Sequence, residues 1–301
     1  MKKLLLIAAI SLELAGCANN PAMNNLLQSA TSVAGSFSPV PVDSIMRTAS
    51  AASKASETLT PKDEYFIGRT VGAGIASRYG VKDNSVANNF LNILGQALVM
   101  ASDKPSTFKG YHFLMLDTNE VVAYSAPSGF IFVSKGMIKL CKNEDDLAAV
   151  LAHEIGHVQH SHAIAAISTS RWTSVATTAA SEATKHFVGG VPGVLFQAFE
   201  GGIEDITQTL VNTGYARGQE NEADATAIQI MQRVGYDSTA LIRVLETMKA
   251  NFPAGSTGFM STHPAPEDRI ADIRPLLPQN AISMSANANR DKRFKMFLNA
   301  L

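Results

Sequence analysis

Cysteine is scarce in this chain: two occur in 301 residues, at positions 17 and 141. Two thiols exclude a disulfide scaffold and a zinc site of four thiolates. An excess of charge is also missing, because 25 Lys+Arg stand against 26 Asp+Glu. Without a cationic surplus the chain is unsuited to neutralising phosphates, which excludes nucleic acid as its main partner. There is no internal repeat, and the apolar stretch around Val188 to Phe199 is too short and too broken by glycine to span a bilayer. Apolar residues themselves are plentiful. At 46% of the chain they can build the core of one large domain or two small ones.

The N-terminus has its own pattern. Lys2 and Lys3 precede the apolar run Leu4 to Ile10, and Leu14-Ala15-Gly16-Cys17 comes shortly after. A positive start, a short apolar segment and a small-residue cleavage site make a secretory leader, residues 1–16. The last four residues look like a bacterial lipobox, which implies lipidation of Cys17 and firm membrane attachment without a spanning helix. Glu13, close to the apolar segment, is the discordant residue. Ala18 stands where inner-membrane lipoproteins often carry Asp, so the expected location is the periplasmic face of an outer membrane. The stretch 17–60, rich in Asn, Ser, Ala and Pro, reads as a lipidated flexible tether.

Beyond Pro61 the apolar period is first helical and then changes. Helices are expected from Pro61 to Tyr79 and from about Asn84 to Ala101, followed by strands at Tyr111 to Leu116 and Phe130 to Val133. Asn143, with Glu144, Asp145 and Asp146 behind it, marks the start of a long helix. Further helices are expected from about Gln219 to Val234 and from Ser238 to Ala250. The class is α+β: mostly helical, with a small mixed sheet beside the long helix. The C-terminal residues 276–301 are an extension, read as a terminal helix packed on the domain 61–275.

That long helix carries His153-Glu154-Ile155-Gly156-His157. Two imidazoles at i, i+4 point the same way about 6 Å apart, the spacing that two ligands of one tetrahedral zinc need. Glu154 lies on the adjoining side, where a carboxylate can remove a proton from water. A catalytic zinc wants a third protein ligand, and no glycine and histidine occupy the offsets that would supply one a few residues on. The best candidate lies elsewhere, in Glu220-Asn221-Glu222-Ala223-Asp224. Glu220 and Asp224 share a helix face, while Glu222 points about 200° away. Glu220 can bind the metal, and Asp224 can accept a ring N–H from a ligating histidine.

With these residues in view, the chain resembles the gluzincin zinc peptidases related to HtpX and to the CAAX prenyl proteases, in particular their periplasmic lipoprotein branch. The resemblance runs from about Pro61 to Ile273. It rests on Ala123-Tyr124-Ser125-Ala126-Pro127-Ser128-Gly129-Phe130-Ile131-Phe132-Val133, the helix Asp146 to His157, the stretch Tyr215-Ala216-Arg217 to Asp224, and Thr262-His263-Pro264 to Arg269-Ile270. It implies a minigluzincin-type fold, one Zn2+ held by His153, His157 and Glu220, Glu154 as general base and Asp224 as support. It also implies that the strand at Gly129, Phe130, Ile131 and Phe132 is the cleft edge on which an extended substrate adds. The sequence departs from the family at Ser128, where a second glycine is usual, and at Ala216, where a serine is usual.

Other residues carry weaker signals. His263, before Pro264, can donate to the developing oxyanion or occupy the zinc's open position and silence the site. Arg217, one turn before Glu220, can pair with a nearby carboxylate or bind the substrate backbone. His162 is expected to stabilise the helix end by charge or hydrogen bond, and His160, about 10 Å along the axis from His153, to stay solvated or supportive. The stretch Gly189 to Gly202 is a candidate lid, and Cys141 a small, partly buried residue. The expected function is a zinc metalloendopeptidase acting on unfolded or misassembled envelope proteins. The rival is an envelope chaperone or assembly factor with a structural zinc.

Overall fold

A three-stranded sheet separates two apolar layers. Strands β1 (His112–Leu116), β2 (Ala123–Ala126) and β3 (Phe130–Ser134) lie in the order β1-β3-β2, with β1 parallel and β2 antiparallel to β3. The computed structural model describes residues 60–81, 84–166, 203, 206–252, 258–263, 265–277 and 287–301. The leader, the tether with Cys17 and the candidate lid at Gly189 to Gly202 lie outside them.

Side chains alternate between the two layers, as the pleat requires. Phe113, Met115, Ala123, Ile131 and Val133 enter the larger core, while Leu114, Leu116, Tyr124, Ala126, Phe130 and Phe132 enter the smaller one. A sheet buried on both faces explains why its strands read as unbroken apolar runs. Helix α1 (Pro61–Tyr79) covers the smaller side through Ile67, Val71 and Ile75. The larger core is filled from α2 (Ser85–Val99), α3 (Lys135–Leu140), α4 (Glu144–Gln159), α5 (Arg217–Arg233) and α6 (Ala240–Asn251). The one-turn α7 (Phe259–Thr262), α8 (Pro266–Ile273) and α9 (Ala288–Leu298) follow, and a π-helical turn at Thr209–Thr213 precedes α5. No described helix is long and apolar enough to cross a membrane.

The α+β class and the mixed sheet agree with the sequence reading, and so do the helix starts. Asn84 and Asn143 each accept a backbone N–H three residues on, from Ala87 and Asp146. Four of the numbered elements were not anticipated: β2, α3, α7 and α8. β2 is only Ala-Tyr-Ser-Ala, too short and too poor in β-branched residues to announce itself. α3 is six residues capped by Ser134, whose Oγ accepts from the Met137 N–H at 2.9 Å.

The acidic start of α4 does more than complement the helix dipole. Glu144 accepts from Arg293 of α9 at 2.6 Å and from the Tyr236 O–H at 2.7 Å. Asp145 accepts from Arg290 of α9 at 2.9 Å, and Asp146 from Arg243 of α6 at 3.0 Å. Three successive carboxylates thus tie the helix to α6 and α9. Phe294 and Phe297 of α9 are buried, with Phe297 stacked on Phe90 at 4.2 Å. Cys141 is buried as well, and its S–H donates to the Met137 carbonyl at 3.3 Å.

Helices α4 and α5 touch backbone to backbone at Gly156. A Cβ there would lie 2.9 Å from both the Cα and the carbonyl oxygen of Ala223. Gly156→Ala should therefore force the helices apart and cost about 1–3 kcal/mol, despite the better helix propensity of alanine. Urea denaturation measures this, and a variant as stable as the parent chain would contradict the close approach.

Candidate metal centre

Four buried side chains from three segments converge where α4 meets α5. His153 Nε2 and His157 Nε2, one helical turn apart, are 3.1 Å from each other. Glu220 on α5 places Oε2 3.6 Å from His153 Nε2 and Oε1 3.4 Å from His157 Nε2. His263, just past α7, places Nε2 3.7 Å from Glu220 Oε1. All four donor atoms lie within 4.8 Å of one another. Neither Glu220 oxygen nor His263 Nε2 has a hydrogen-bond partner among the described residues. Buried polar atoms left unpaired are costly, and a cation among these donors would satisfy all of them. Three imidazoles and a carboxylate are a donor set suited to zinc and similar divalent ions.

The surroundings hold these groups in a metal-ready state. Burial keeps His157 and His263 well below the ordinary imidazole range, and therefore neutral. The His153 Nδ1–H donates to Asp224 Oδ1 at 2.8 Å, which leaves Nε2 with its lone pair toward the cluster. Burial alone would raise the Asp224 carboxyl. The Arg269 guanidinium and the bonds from His153 and Arg269 overcome this and hold it well below the carboxylate range. Arg269 donates to both Asp224 oxygens, at 2.6 and 3.0 Å, and is itself 1% exposed. Its Nη1 lies 3.6 Å from Glu220 Oε2, so one cation from α8 ties together the two buried acids of α5.

Glu154, next to His153 on α4, is likewise buried, and its Oε1 has no partner among the described residues. Burial pushes its carboxyl up to about 7, partly offset by His153. A carboxylate poised near neutrality can both take and return a proton.

The environment of His263 bears on its two expected roles. Its Nδ1 lies 3.0 Å from Thr262 Oγ1, which can donate or accept, and 3.2 Å from the Phe259 carbonyl oxygen, which can only accept and is satisfied when the ring proton is on Nδ1. Nε2 then offers a lone pair to the cluster, the form of a ligand rather than of an oxyanion donor.

Several expected site residues lie differently in the structure. Arg217 is exposed and donates to Asp272 of α8 at 2.9 Å, away from the cluster, so of its two expected roles it takes the ion pair. Gly129, Phe130, Ile131 and Phe132 do not form the cleft edge. β3 is the middle strand, paired on both sides, so its backbone has no free row to offer. The outer strand on the α4 side is β2. The Ser134 N–H donates to the Val122 carbonyl, so antiparallel alternation turns the main-chain groups of Val121, Ala123 and Ser125 away from β3. Ser128, where the family's second glycine is usual, has φ 64°, the left-handed region that favours glycine. His162 is buried rather than a charged cap, since burial lowers its pKa; its Nδ1 lies 2.9 Å from His157 Nδ1. His160 is exposed and bonded to Thr226 Oγ1 at 2.8 Å. The sequence reading missed the part played by Arg269, although it closes the last motif. It also missed Tyr215, whose ring stacks on His157 at 4.0 Å.

The chain is similar in sequence to known proteins. The profile of peptidase family M48 matches residues 87–276. The beta-barrel assembly-enhancing protease of Escherichia coli (strain K12) is 26% identical over 249 residues, covering 80% of this chain and 49% of that protein. Metalloprotease LoiP of the same organism is 25% identical over 284 residues, 94% of this chain and 99% of LoiP. The mitochondrial metalloendopeptidase OMA1 of Schizosaccharomyces pombe is 32% identical over 165 residues, 52% of this chain and 44% of that protein. The chain spans about half the length of the assembly-enhancing proteases it matches.

Two measurements on metal-free protein probe these electrostatics. Arg269→Ala strands the buried Asp224 and Glu220 charges and should cost about 3–5 kcal/mol in denaturant unfolding; a loss well under 1 kcal/mol would contradict the pairing. For Glu154 the folded pKa is raised from 4.5 to about 7, so its contribution to stability is full below 4.5 and is lost as pH rises through 7. Glu154→Gln should match the parent chain near pH 4 and exceed it near pH 8, by on the order of 3 kcal/mol. Parallel stability profiles across that range would refute the shift.

Proposed function

The chain belongs to peptidase family M48, and from that membership we propose that it is a zinc-dependent endopeptidase of the bacterial envelope. His153, His157 and Glu220 hold the zinc, and Glu154 is the general base. The observation that carries this reading is the cluster itself, with unpartnered Glu220 oxygens beside the neutral rings of His157 and His263, and Glu154 next to His153. Zinc bound there supplies a Lewis acid that polarises a carbonyl and makes water acidic. Glu154 takes the proton of the attacking water and delivers it to the leaving amine, a double duty for which a pKa near 7 is suited. Asp224 and Arg269 keep His153 in the ligating tautomer.

The substrate chain adds along β2, where Ala123 and Ser125 turn main-chain groups away from β3 and the Ser125 carbonyl exchanges its 3.5 Å contact with the Tyr215 O–H for a bond to the substrate. Recognition through main-chain bonds favours extended, unfolded segments over folded ones. In the described conformation His263 completes a four-ligand set, and the centre is latent until that ring withdraws. The lipobox-like Leu14 to Cys17 supports a lipid anchor at Cys17, with residues 17–60 as tether, 61–275 as peptidase domain and 276–301 as extension. The names of the assembly-enhancing relatives support substrates among unfolded or misassembled envelope proteins at the outer membrane. The enclosed four-donor set is the one observation favouring the rival, an assembly factor with a structural zinc.

The test is digestion of an unfolded outer-membrane protein by the full chain. Cleavage should stop with a chelator and fall about 10²–10⁴-fold in Glu154→Gln, which should still bind zinc. Undiminished cleavage by Glu154→Gln, or no cleavage by the parent chain and His263→Ala alike, would refute the peptidase reading. His263→Ala should cleave faster than the parent chain; a slower variant would return His263 to the oxyanion role.

A further inference from the structure

The two zinc-facing histidines of α4 are supported in different ways. His153 gives its second ring nitrogen to Asp224, a buried carboxylate locked by Arg269. His157 gives its second nitrogen to another histidine. Its Nδ1 is 2.9 Å from His162 Nδ1, and His162 Nε2 is 2.9 Å from Glu222 Oε2. His162 is 3% exposed, whereas the Glu222 side chain is 59% exposed. The chain of contacts therefore runs from the centre to the surface.

The protons along it fit only one arrangement. A His157 ring that offers its Nε2 lone pair to a metal carries its proton on Nδ1. His162 Nδ1 must then accept, which puts the His162 proton on Nε2, where it is donated to the Glu222 carboxylate. Every contact thus has one donor and one acceptor. Protonating both nitrogens of His162 would set two N–H groups against each other.

The local backbone is shaped to make this contact. α4 ends at His160, and Ser161 takes φ 56°, the left-handed region that non-glycine residues avoid. That turn folds His162 back against His157, ring to ring at 5.0 Å and 71°. Lys104 from outside the helix holds the turn, donating to Ser161 Oγ at 3.2 Å and to the Val158 carbonyl at 3.3 Å. The His160 ring lies nearly parallel to His162 on the other side, at 5.5 Å and 16°. Glu222 faces away from Glu220 on α5, and for that reason it reaches the end of α4 rather than the cluster.

We infer that His162 and Glu222 are positioning residues for the metal centre: a histidine–histidine–glutamate relay fixes the tautomer and orientation of His157 and ends in a surface carboxylate. This rests on the zinc reading proposed above. One ligand is thereby held by a buried ion pair and the other by a group that solvent reaches.

The test reads zinc affinity of the full chain by chelator competition, together with the melting temperature of the metal-free protein. His162→Phe keeps a ring of similar size without nitrogens and should weaken zinc binding about 10- to 100-fold. Glu222→Ala, at a half-open surface position, should weaken it about 10-fold, the low end of that range, without lowering the metal-free melting temperature. In a His162→Phe background the Glu222 effect should disappear, because the relay is already cut. Unchanged zinc affinity in Glu222→Ala, or equal Glu222 effects in both backgrounds, would overturn the relay while leaving the zinc reading intact. Should His162→Phe not fold, Glu222→Ala alone decides. A parent chain that binds no zinc would overturn the centre and the relay together.

Discussion

The site depends on the contact between α4 and α5. Gly156 has no side chain, so the backbone of Ala223 comes to rest against it, and the carboxylate of Glu220 falls between two imidazoles spaced by one turn of α4. One helix alone presents two donors. Only the second helix at this distance converts them into a cluster, and a single methyl group at position 156 would press on the Ala223 backbone and push that helix away.

Bringing so many polar groups out of water is expensive, and the fold offsets the cost by pairing almost all of them. Asp224 is satisfied by His153 and Arg269, and the three acids at the start of α4 are each met by an arginine from another helix. Of the seven buried side-chain atoms left over among the described residues, five belong to the centre and its support, namely both Glu220 oxygens, His263 Nε2, Glu154 Oε1 and Arg269 Nη1; the other two are Ser125 Oγ and Asn221 Oδ1. Unsatisfied polarity is thus concentrated where a bound cation and a reacting group would use it. The same burial that keeps the histidines neutral raises Glu154, so one physical cause prepares both ligands and base.

Strain is spent in the same neighbourhood. Ser128 and Ser161 are the two non-glycine residues with positive φ among those described. Ser128 follows the outer strand β2, and Ser161 folds His162 onto His157. Each costs on the order of 1 kcal/mol, a cost that neighbouring contacts sustain because the turns are held from several sides.

Much of this was legible in the chain itself. A helical period that contains His153, Glu154 and His157, and a second that contains Glu220 and Asp224, places five groups by local geometry alone, since the direction of a side chain on a helix follows from its position. The caps at Asn84 and Asn143 and the α+β class are likewise local or compositional. What sequence could not carry is which distant element completes each pair. β2 was hidden because a run of only four residues, Ala-Tyr-Ser-Ala, owes its extended form to β3 rather than to propensity. The family resemblance put the cleft edge on β3, and the apolar run could not correct it, because such a run says that a strand is buried and not whether it is paired on both sides. Arg269 and Glu222 became part of the centre only when α8 and α5 packed against α4. The sequence by itself determined the donors and the chemistry they can support. The tertiary structure decided their partners, because burial, pairing and tautomer depend on neighbours far away along the chain.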